Sequence, residues 1–198
     1  MSRVLVGREA PEFSAEAVLG NGNIKQYVFK PSNKQYNIIF FYPLDFTFVC
    51  PSELIALDRR YQEFKRRGVE VIGVSVDSQF THNAWRNTEI SQGGIGPVQF
   101  TLVADVKHAI CKAYGVEHPE AGVALRAVFL IDKKGIVRSQ IVNDLPLGRN
   151  IEELLRLVDA LQFTEKNGEV CPANWKFGDA GMRPTPEGVS AYLGEHYD

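Results

Sequence analysis

The chain has 198 residues, of which 44% are hydrophobic and 23% charged, and a formal net charge of −2. That length holds one domain with a sizeable core, and the near-neutral charge, without a long basic run, excludes a nucleic-acid or acidic-lipid surface as the main partner. The N-terminal stretch "MSRVLVGREAPEF" has a proline and acids where the apolar core of a leader would sit, and "NIIFFYP" and "VALRAVFLI" are too short or too interrupted to span a bilayer, so the expected compartment is the cytosol.

In chain order, "FSAEAVLGNGNIKQYVF" reads as two short strands around an Asn-Gly turn. "NIIFFYP", Asn37 to Pro43, is a continuous apolar run, as expected of a strand covered on both faces. From Pro51 the spacing of Leu54, Leu57, Tyr61 and Phe64 predicts a helix. Pro51 suits its first turn, Lys65-Arg66-Arg67 its last, and Gly68 the position just beyond. "VEVIGVSV" reads as a buried strand, and Asp77 or Ser78 as the cap of a helix through "FTHNAWRNTEI".

"TLVAD" predicts a short strand and "VKHAICKAYGV" a helix closed by Gly115. "RAVFLID" and "IVRSQIV" form a hairpin through "KKG". "NIEELLRLVDALQF" predicts an amphipathic helix with Ile151, Leu154, Leu155, Val158 and Leu161 as its apolar stripe. The alternation of strands and helices predicts an α/β layered domain with a central mixed sheet over residues 1–163. The Gly-, Pro- and polar-rich segment 164–198 reads as a C-terminal extension.

Cys50, Cys111 and Cys171 are an odd, widely spaced set without a CxxC pair, which suits neither a disulfide framework nor a zinc ribbon. The histidines, His82, His108, His118 and His196, show no HxxxH spacing, and no metal is expected. Cys50 stands where the strand run gives way to a helix. A helix N-terminus presents unpaired N–H groups and partial positive charge, which favour a thiolate over a thiol, and the thiolate is the nucleophile. Thr47 offers a hydroxyl to the same spot, and Pro43 a wall against water. A buried structural cysteine that happens to precede a helix is the alternative. Glu53 occupies the position where a dithiol oxidoreductase carries its second cysteine. A cysteine hydrolase would need an imidazole beside Cys50.

The segment "PLDFTFVCP", Pro43 to Pro51, carries the PxxxTxxC signature of the peroxiredoxins. "SVDSQFTHNAW", "GGIG", "LRAVFLID", "VNDLPLGRN" and "GEVCPANW" follow in family order, so that the chain from about Ala10 onward resembles the typical two-cysteine class, which includes the alkyl hydroperoxide reductase C subunits. The resemblance implies a thioredoxin-like fold and a thiol-dependent peroxidase without metal, haem, flavin or other cofactor in the chain. It makes Cys50 the peroxidatic cysteine, with Pro43, Thr47 and Arg126 as companions and Glu53 and Arg149 orienting the arginine, although a Glu–Arg pair is equally read as a surface ion pair.

It further implies that Cys50 sulfenic acid condenses with Cys171 of a partner chain, and that thioredoxin or a flavin-linked disulfide reductase restores both thiols. Cys111 matches no catalytic position and reads as a packing residue. His82 and Trp85 read as packing or interface residues. Phe46, Phe48, Phe80 and Thr81 fall where the family makes its dimer–dimer contacts, implying a homodimer assembling into a decamer. Sensitivity of Cys50 to overoxidation is linked to the loop Gly93-Gly94-Ile95-Gly96 and to Tyr192 and Leu193 in the tail, where the family's sensitive pattern has Tyr-Phe. A binding role is the competing class: the oligomer as a holdase for unfolded chains, or as a redox relay.

Overall fold

The computed structural model describes residues 4–31 and 34–197, so the first three residues of the N-terminal stretch lie outside it. Strands β1 (Phe13–Val18) and β2 (Ile24–Phe29) pair antiparallel around the expected Asn21-Gly22 turn. Gly22 has a φ of 86° and donates its N–H to Leu19 O at 2.7 Å. That left-handed conformation carries no Cβ penalty for glycine.

Strand β3 (Tyr36–Phe41) is buried at every position. It lies between β4 (Val69–Ser75), which is parallel to it, and β6 (Arg126–Ile131), which is antiparallel. Burial on both faces is the reason its residues run apolar without alternation. β5 (Thr101–Ala104) pairs parallel with β4 and antiparallel with β1, and β7 (Val137–Asn143) closes the expected hairpin with β6. The result is one mixed seven-stranded sheet in the order β2-β1-β5-β4-β3-β6-β7. In its core the rings of Phe41, Tyr114 and Phe129 meet with centroids 4.9–5.9 Å apart. Burial of each such side chain contributes about 1.5–3 kcal/mol.

The helices are α1 (Cys50–Arg59), α2 (Tyr61–Arg66), α3 (Gln79–Arg86), α4 (Ala109–Ala113), α5 (Ile151–Asn167) and α6 (Pro186–His196). α4 is shorter than the helix expected through "VKHAICKAYGV", α6 falls in the segment read as an extension, and two further helices stop earlier than the sequence predicts. The helix expected from Pro51 to Gly68 is interrupted at Arg60, whose N–H turns to Leu57 O at 3.1 Å in a tighter turn before α2 restarts. The helix expected through "FTHNAWRNTEI" ends at Arg86, where Asn87 N–H is shared between Asn83 O and Ala84 O and the Thr88 hydroxyl donates to Ala84 O. Asn and Thr are weak helix formers that compete for backbone groups. Ser78, rather than Asp77, caps α3 by accepting from Thr81 N–H at 3.2 Å.

The chain forms two compact units, the first ending at Ile151 and the second beginning at Glu152, so α5 groups with the C-terminal segment. Ile151, Leu154, Leu155 and Val158 of its predicted stripe are buried and Leu161 half-buried. Within the second unit, Trp175 is buried, its ring 4.9 Å from Phe163 and its indole N–H donating to Asp179 O at 3.1 Å. No helix among the described residues is long and apolar enough to cross a membrane.

Candidate active site

Strand β3 delivers the chain to the site. Tyr42 continues its ladder, donating its N–H to Val74 O at 3.0 Å, and buried Pro43 then ends it, lacking an N–H. The loop that follows is anchored from below by Asp45. Its backbone N–H donates to Asp77 Oδ2 at 2.9 Å, and its buried carboxylate meets the Tyr42 hydroxyl at 2.8 Å and His82 Nδ1 at 2.7 Å. Burial pushes the Asp45 carboxyl upward, while its bonds to His82 and Tyr42 hold it down. His82 Nε2 faces Val103 O at 3.2 Å. A carbonyl only accepts, so Nε2 carries a proton.

With its base fixed, the loop takes Phe46 into the left-handed region at φ 53°, a conformation costing a non-glycine residue about 1–2 kcal/mol. Phe46 is braced by Trp85, whose ring lies 5.9 Å away. The turn aims Thr47 at Cys50. The Thr47 hydroxyl lies 2.7 Å from Leu44 O and 3.1 Å from Cys50 Sγ. It has one proton for these two neighbours. With a Cys50 thiol, the sulfur donates to Thr47 and Thr47 to Leu44; with a thiolate, the hydroxyl proton turns to sulfur.

Cys50 is the first residue of α1 and is fully buried. Arg126 reaches it from the start of β6, because the β3–β6 register pairs Phe41 with Ala127. Arg126 Nη1 donates to Cys50 Sγ at 3.3 Å and to Glu53 Oε2 at 2.8 Å, while its Nε donates to Leu145 O. Glu53, one turn into α1, also accepts from the backbone N–H, Nε and Nη2 of Arg149 at 2.8, 2.9 and 2.9 Å. Arg149 Nη1 donates to Phe41 O and Ala127 O, bolting the group to the ends of two strands, and its guanidinium lies 3.4 Å from the Phe40 ring centroid. Burial pushes the Arg149 guanidinium down and Glu53 pulls it back up. An arginine keeps its proton in either case.

The sequence leaves open whether Glu53 and Arg149 form a surface ion pair; they are buried, with side chains 3% and 1% exposed. Two guanidiniums against one carboxylate leave one surplus positive charge around the sulfur. A thiolate neutralises it. The groups at Cys50 Sγ are therefore a hydroxyl and a guanidinium, the donors wanted for a sulfur anion and for an oxygen departing as an anion.

The other singled-out residues lie elsewhere. Cys111 is buried in the aromatic core cluster, and burial first, then Asp105, pushes its thiol up to about 12. Cys171, in the second unit, is half-buried with Sγ 3.6 Å from Ala160 O and 3.8 Å from the Thr164 hydroxyl. Phe46, Phe48 and Phe80 carry exposed rings, Phe48 at 97%, and Thr81 bonds the Ser78 hydroxyl. In the Gly93–Gly96 loop, Gly93 O accepts the Trp85 indole N–H at 2.9 Å and Ile95 is buried. A Cβ on Gly94 would stand 1.9 Å from Thr88 O, so this position admits no side chain. Tyr192 stacks on His196 at 4.1 Å within α6, where Leu193 is exposed.

The supports that sequence reasoning missed are Asp45, Asp77 and the Leu145 carbonyl. Asp45 stands inside the quoted "PLDFTFVCP", but its partner His82 is distant in sequence and nothing in the local pattern joins them.

Comparison with known proteins identifies the family. The family model described as AhpC/TSA family matches residues 6–140, and that described as the C-terminal domain of 1-Cys peroxiredoxin matches residues 160–195. In this chain the second segment carries Cys171. Alkyl hydroperoxide reductase C of Buchnera aphidicola subsp. Schizaphis graminum is 52% identical, over 98% of each chain. That of Helicobacter pylori strain 26695 is 51% identical, again over 98% of each. The reduced 2-Cys peroxiredoxin of Plasmodium vivax superposes with a TM-score of 0.93 at 48% identity, covering 96% of this chain and 99% of the other. A thioredoxin-like fold with a buried cysteine sulfur held among hydroxyl and guanidinium donors suits a thiol peroxidase. The chain belongs to the AhpC/TSA family of peroxiredoxins and is a thiol-dependent peroxidase.

Proposed function

We propose that this enzyme reduces hydrogen peroxide and organic hydroperoxides through Cys50, with Cys171 of a partner chain as the resolving cysteine. The observation that carries the reading is Cys50 Sγ at the start of α1, 3.1 Å from the Thr47 hydroxyl and 3.3 Å from Arg126 Nη1. The thiolate attacks one peroxide oxygen. An S–O bond forms as the O–O bond breaks, sulfur loses two electrons, and the departing alkoxide or hydroxide takes a proton from solvent. Arg126 and Thr47 hold the peroxide and meet the developing charge. Pro43 shields the sulfur, and Glu53 and Arg149 orient Arg126. Condensation of Cys50 sulfenic acid with the Cys171 thiol expels water and forms the disulfide. A thioredoxin-type dithiol or a flavin-linked disulfide reductase returns both thiols by exchange.

The working unit on this reading is a cytosolic homodimer, with segment 164–198 as the extension that brings Cys171. The exposed rings of Phe46, Phe48 and Phe80, with Thr81, are the surface on which dimers join into a decamer. Overoxidation of Cys50 to sulfinic acid is governed by the Gly93-Gly94-Ile95-Gly96 loop together with Tyr192 and Leu193. A Leu193→Phe protein is then expected to yield more sulfinic acid by mass spectrometry after graded peroxide.

Mixing two inactive proteins tests the central claim. Cys50→Ser and Cys171→Ser homodimers each fail to recycle with thioredoxin. Mixed dimers pair an intact Cys50 of one chain with an intact Cys171 of the other, and peroxide should give a disulfide-linked dimer on a non-reducing gel. No linked dimer in the mixture, with an intramolecular bond in oxidised wild type, refutes the intersubunit arrangement.

A further inference from the structure

The peroxidase chemistry makes no use of Cys111, yet this thiol is not surrounded by packing alone. The Nδ1 of His108 lies 2.8 Å from Glu117 Oε1, and the ligand atoms of His108, Cys111 and Glu117 all lie within 4.8 Å of one another. Local backbone brings them together. His108, in the left-handed region at φ 57°, precedes α4, and Cys111 falls three residues on, on the same face. After α4 the chain reverses, Val116 N–H donating to Cys111 O at 2.9 Å, which returns Glu117 to the same spot. Asp105 fixes the helix start by accepting from Ile110 and Cys111 N–H at 3.0 and 2.8 Å. Cys111 is buried, whereas the His108 and Glu117 side chains are each 28% exposed, so the cluster opens to solvent on one side.

From this cluster we infer that His108, Cys111 and Glu117 form a binding site for a borderline-soft divalent cation of the Zn²⁺ class. One sulfur, one imidazole nitrogen and one carboxylate oxygen are the donor types that such an ion takes, with a solvent molecule completing a tetrahedron. Bond lengths of about 2.0–2.3 Å set tetrahedral ligand atoms roughly 3.3–3.7 Å apart. The His108–Glu117 pair, at 2.8 Å, must therefore spread by about 0.5–0.9 Å, and neither other pair, within 4.8 Å, need draw in by more than about 1.5 Å.

The charges favour a cation. With His108 neutral, the carboxylates of Asp105 and Glu117 outweigh Lys112, whose Nζ lies 3.6 Å from Glu117. The ion adds two positive charges and the Cys111 thiol releases its proton to solvent, which leaves the loaded site neutral. Although burial disfavours this thiolate in the free protein, a coordinated ion deprotonates a thiol outright. The spacing of the histidines gives no sign of the site, because the three ligands do not follow a two-histidine or two-cysteine pattern.

A Cys50→Ser/Cys171→Ser protein, in which Cys111 is the remaining sulfur, isolates the site. It is titrated with Co²⁺ as a spectroscopic probe and then with Zn²⁺. The expected result is one Co²⁺ per chain with thiolate-to-cobalt charge-transfer absorption, displaced by Zn²⁺. Adding Cys111→Ser should abolish the band. Adding Glu117→Gln, a change on the solvent side, should weaken Co²⁺ at least about tenfold, since loss of even an outer partner of a ligand costs that much. Absence of the band in the parent protein, or an unchanged Co²⁺ affinity in a folded Glu117→Gln protein, overturns the site.

Discussion

Replacing Glu53 by glutamine tests the buried charge cluster most directly. The carboxylate accepts four hydrogen bonds: one from Arg126 and three from Arg149, counting its backbone N–H. Glutamine keeps the shape and one acceptor oxygen but turns an NH₂ group toward a guanidinium, and it leaves two buried positive charges with the sulfur alone to balance them. Breaking a buried ion pair by removing one partner costs about 3–5 kcal/mol. At about 2–4 °C per kcal/mol for a chain of this size, the melting temperature should fall by about 6–20 °C. Denaturant unfolding of wild type, Glu53→Gln, Arg149→Met and the double variant completes a thermodynamic cycle. Arg149→Met in the Glu53→Gln background removes a charge that has lost its partner. The double variant should therefore be more stable than the sum of the two single losses predicts, with a coupling of about 0.5–3 kcal/mol. A Glu53→Gln protein within about 0.5 kcal/mol of wild type, in the range of an ordinary surface change, would refute the reasoning.

Arg126→Ala should slow peroxide consumption by about ten- to a hundred-fold, from the 1.5–3 kcal/mol of a charge-assisted contact, and Arg126→Lys should recover part of it; an unchanged stopped-flow rate would remove Arg126 from the site. Thr47→Val should slow the same step by a similar factor of about ten to a hundred while Thr47→Ser remains near wild type, because the hydroxyl proton is what the thiolate receives; a Val protein as fast as wild type beside a slow Ser protein would show that the methyl, not the hydroxyl, matters. Acid stability gives a test away from the site, at Asp132. Burial raises the Asp132 carboxyl, but the Ile136 and Lys134 N–H groups and Arg138 outweigh it and hold it below the usual carboxylate range. A lowered folded value stabilises above the unfolded value of about 3.9 and is lost as pH falls through the folded one. The stability gap between wild type and Asp132→Asn should thus be constant near neutrality and shrink below about pH 4, and a gap unchanged down to pH 3 would contradict it.

The parts of the fold that could be read in advance are those fixed by nearest neighbours in sequence. The unbroken apolar run of β3 announced two-sided burial, the Asn21-Gly22 pair announced its hairpin, and the spacing of Pro43, Thr47 and Cys50 placed three groups on one loop and helix start. Arg126 and Arg149 were visible through family resemblance, but their number of bonds was not. Glu53 could hold both arginines because β3 and β6 pair in one register, and register is a property of the assembled sheet. The pairing of Asp45 with His82 was invisible for the same reason. An isolated histidine on an apolar helix face reads as packing, and only the fold shows a carboxylate meeting it from the loop before α1. The break at Arg60 has no local signal, since neither Gly nor Pro stands there.

The charge count at Cys50 links this architecture to the cycle proposed above. With a thiolate, the two guanidiniums face two negative groups and the buried cluster is neutral. Oxidation to an uncharged sulfenic acid would remove one negative charge from between two arginines that are tied elsewhere, Arg149 to Phe41 O and Ala127 O and Arg126 to Leu145 O. A surplus positive charge then remains in a region of low dielectric, where an uncompensated charge is expensive. The charges of the cluster thus balance with an anionic sulfur and are left one positive charge over with an uncharged sulfenic acid. The proposed cycle has Cys50 Sγ meet the sulfur of another chain, and Sγ is fully buried in the folded site. The loss of charge balance on oxidation works in the required direction: it weakens the grip on Cys50 after the first peroxide has reacted, and reduction back to the thiolate restores it.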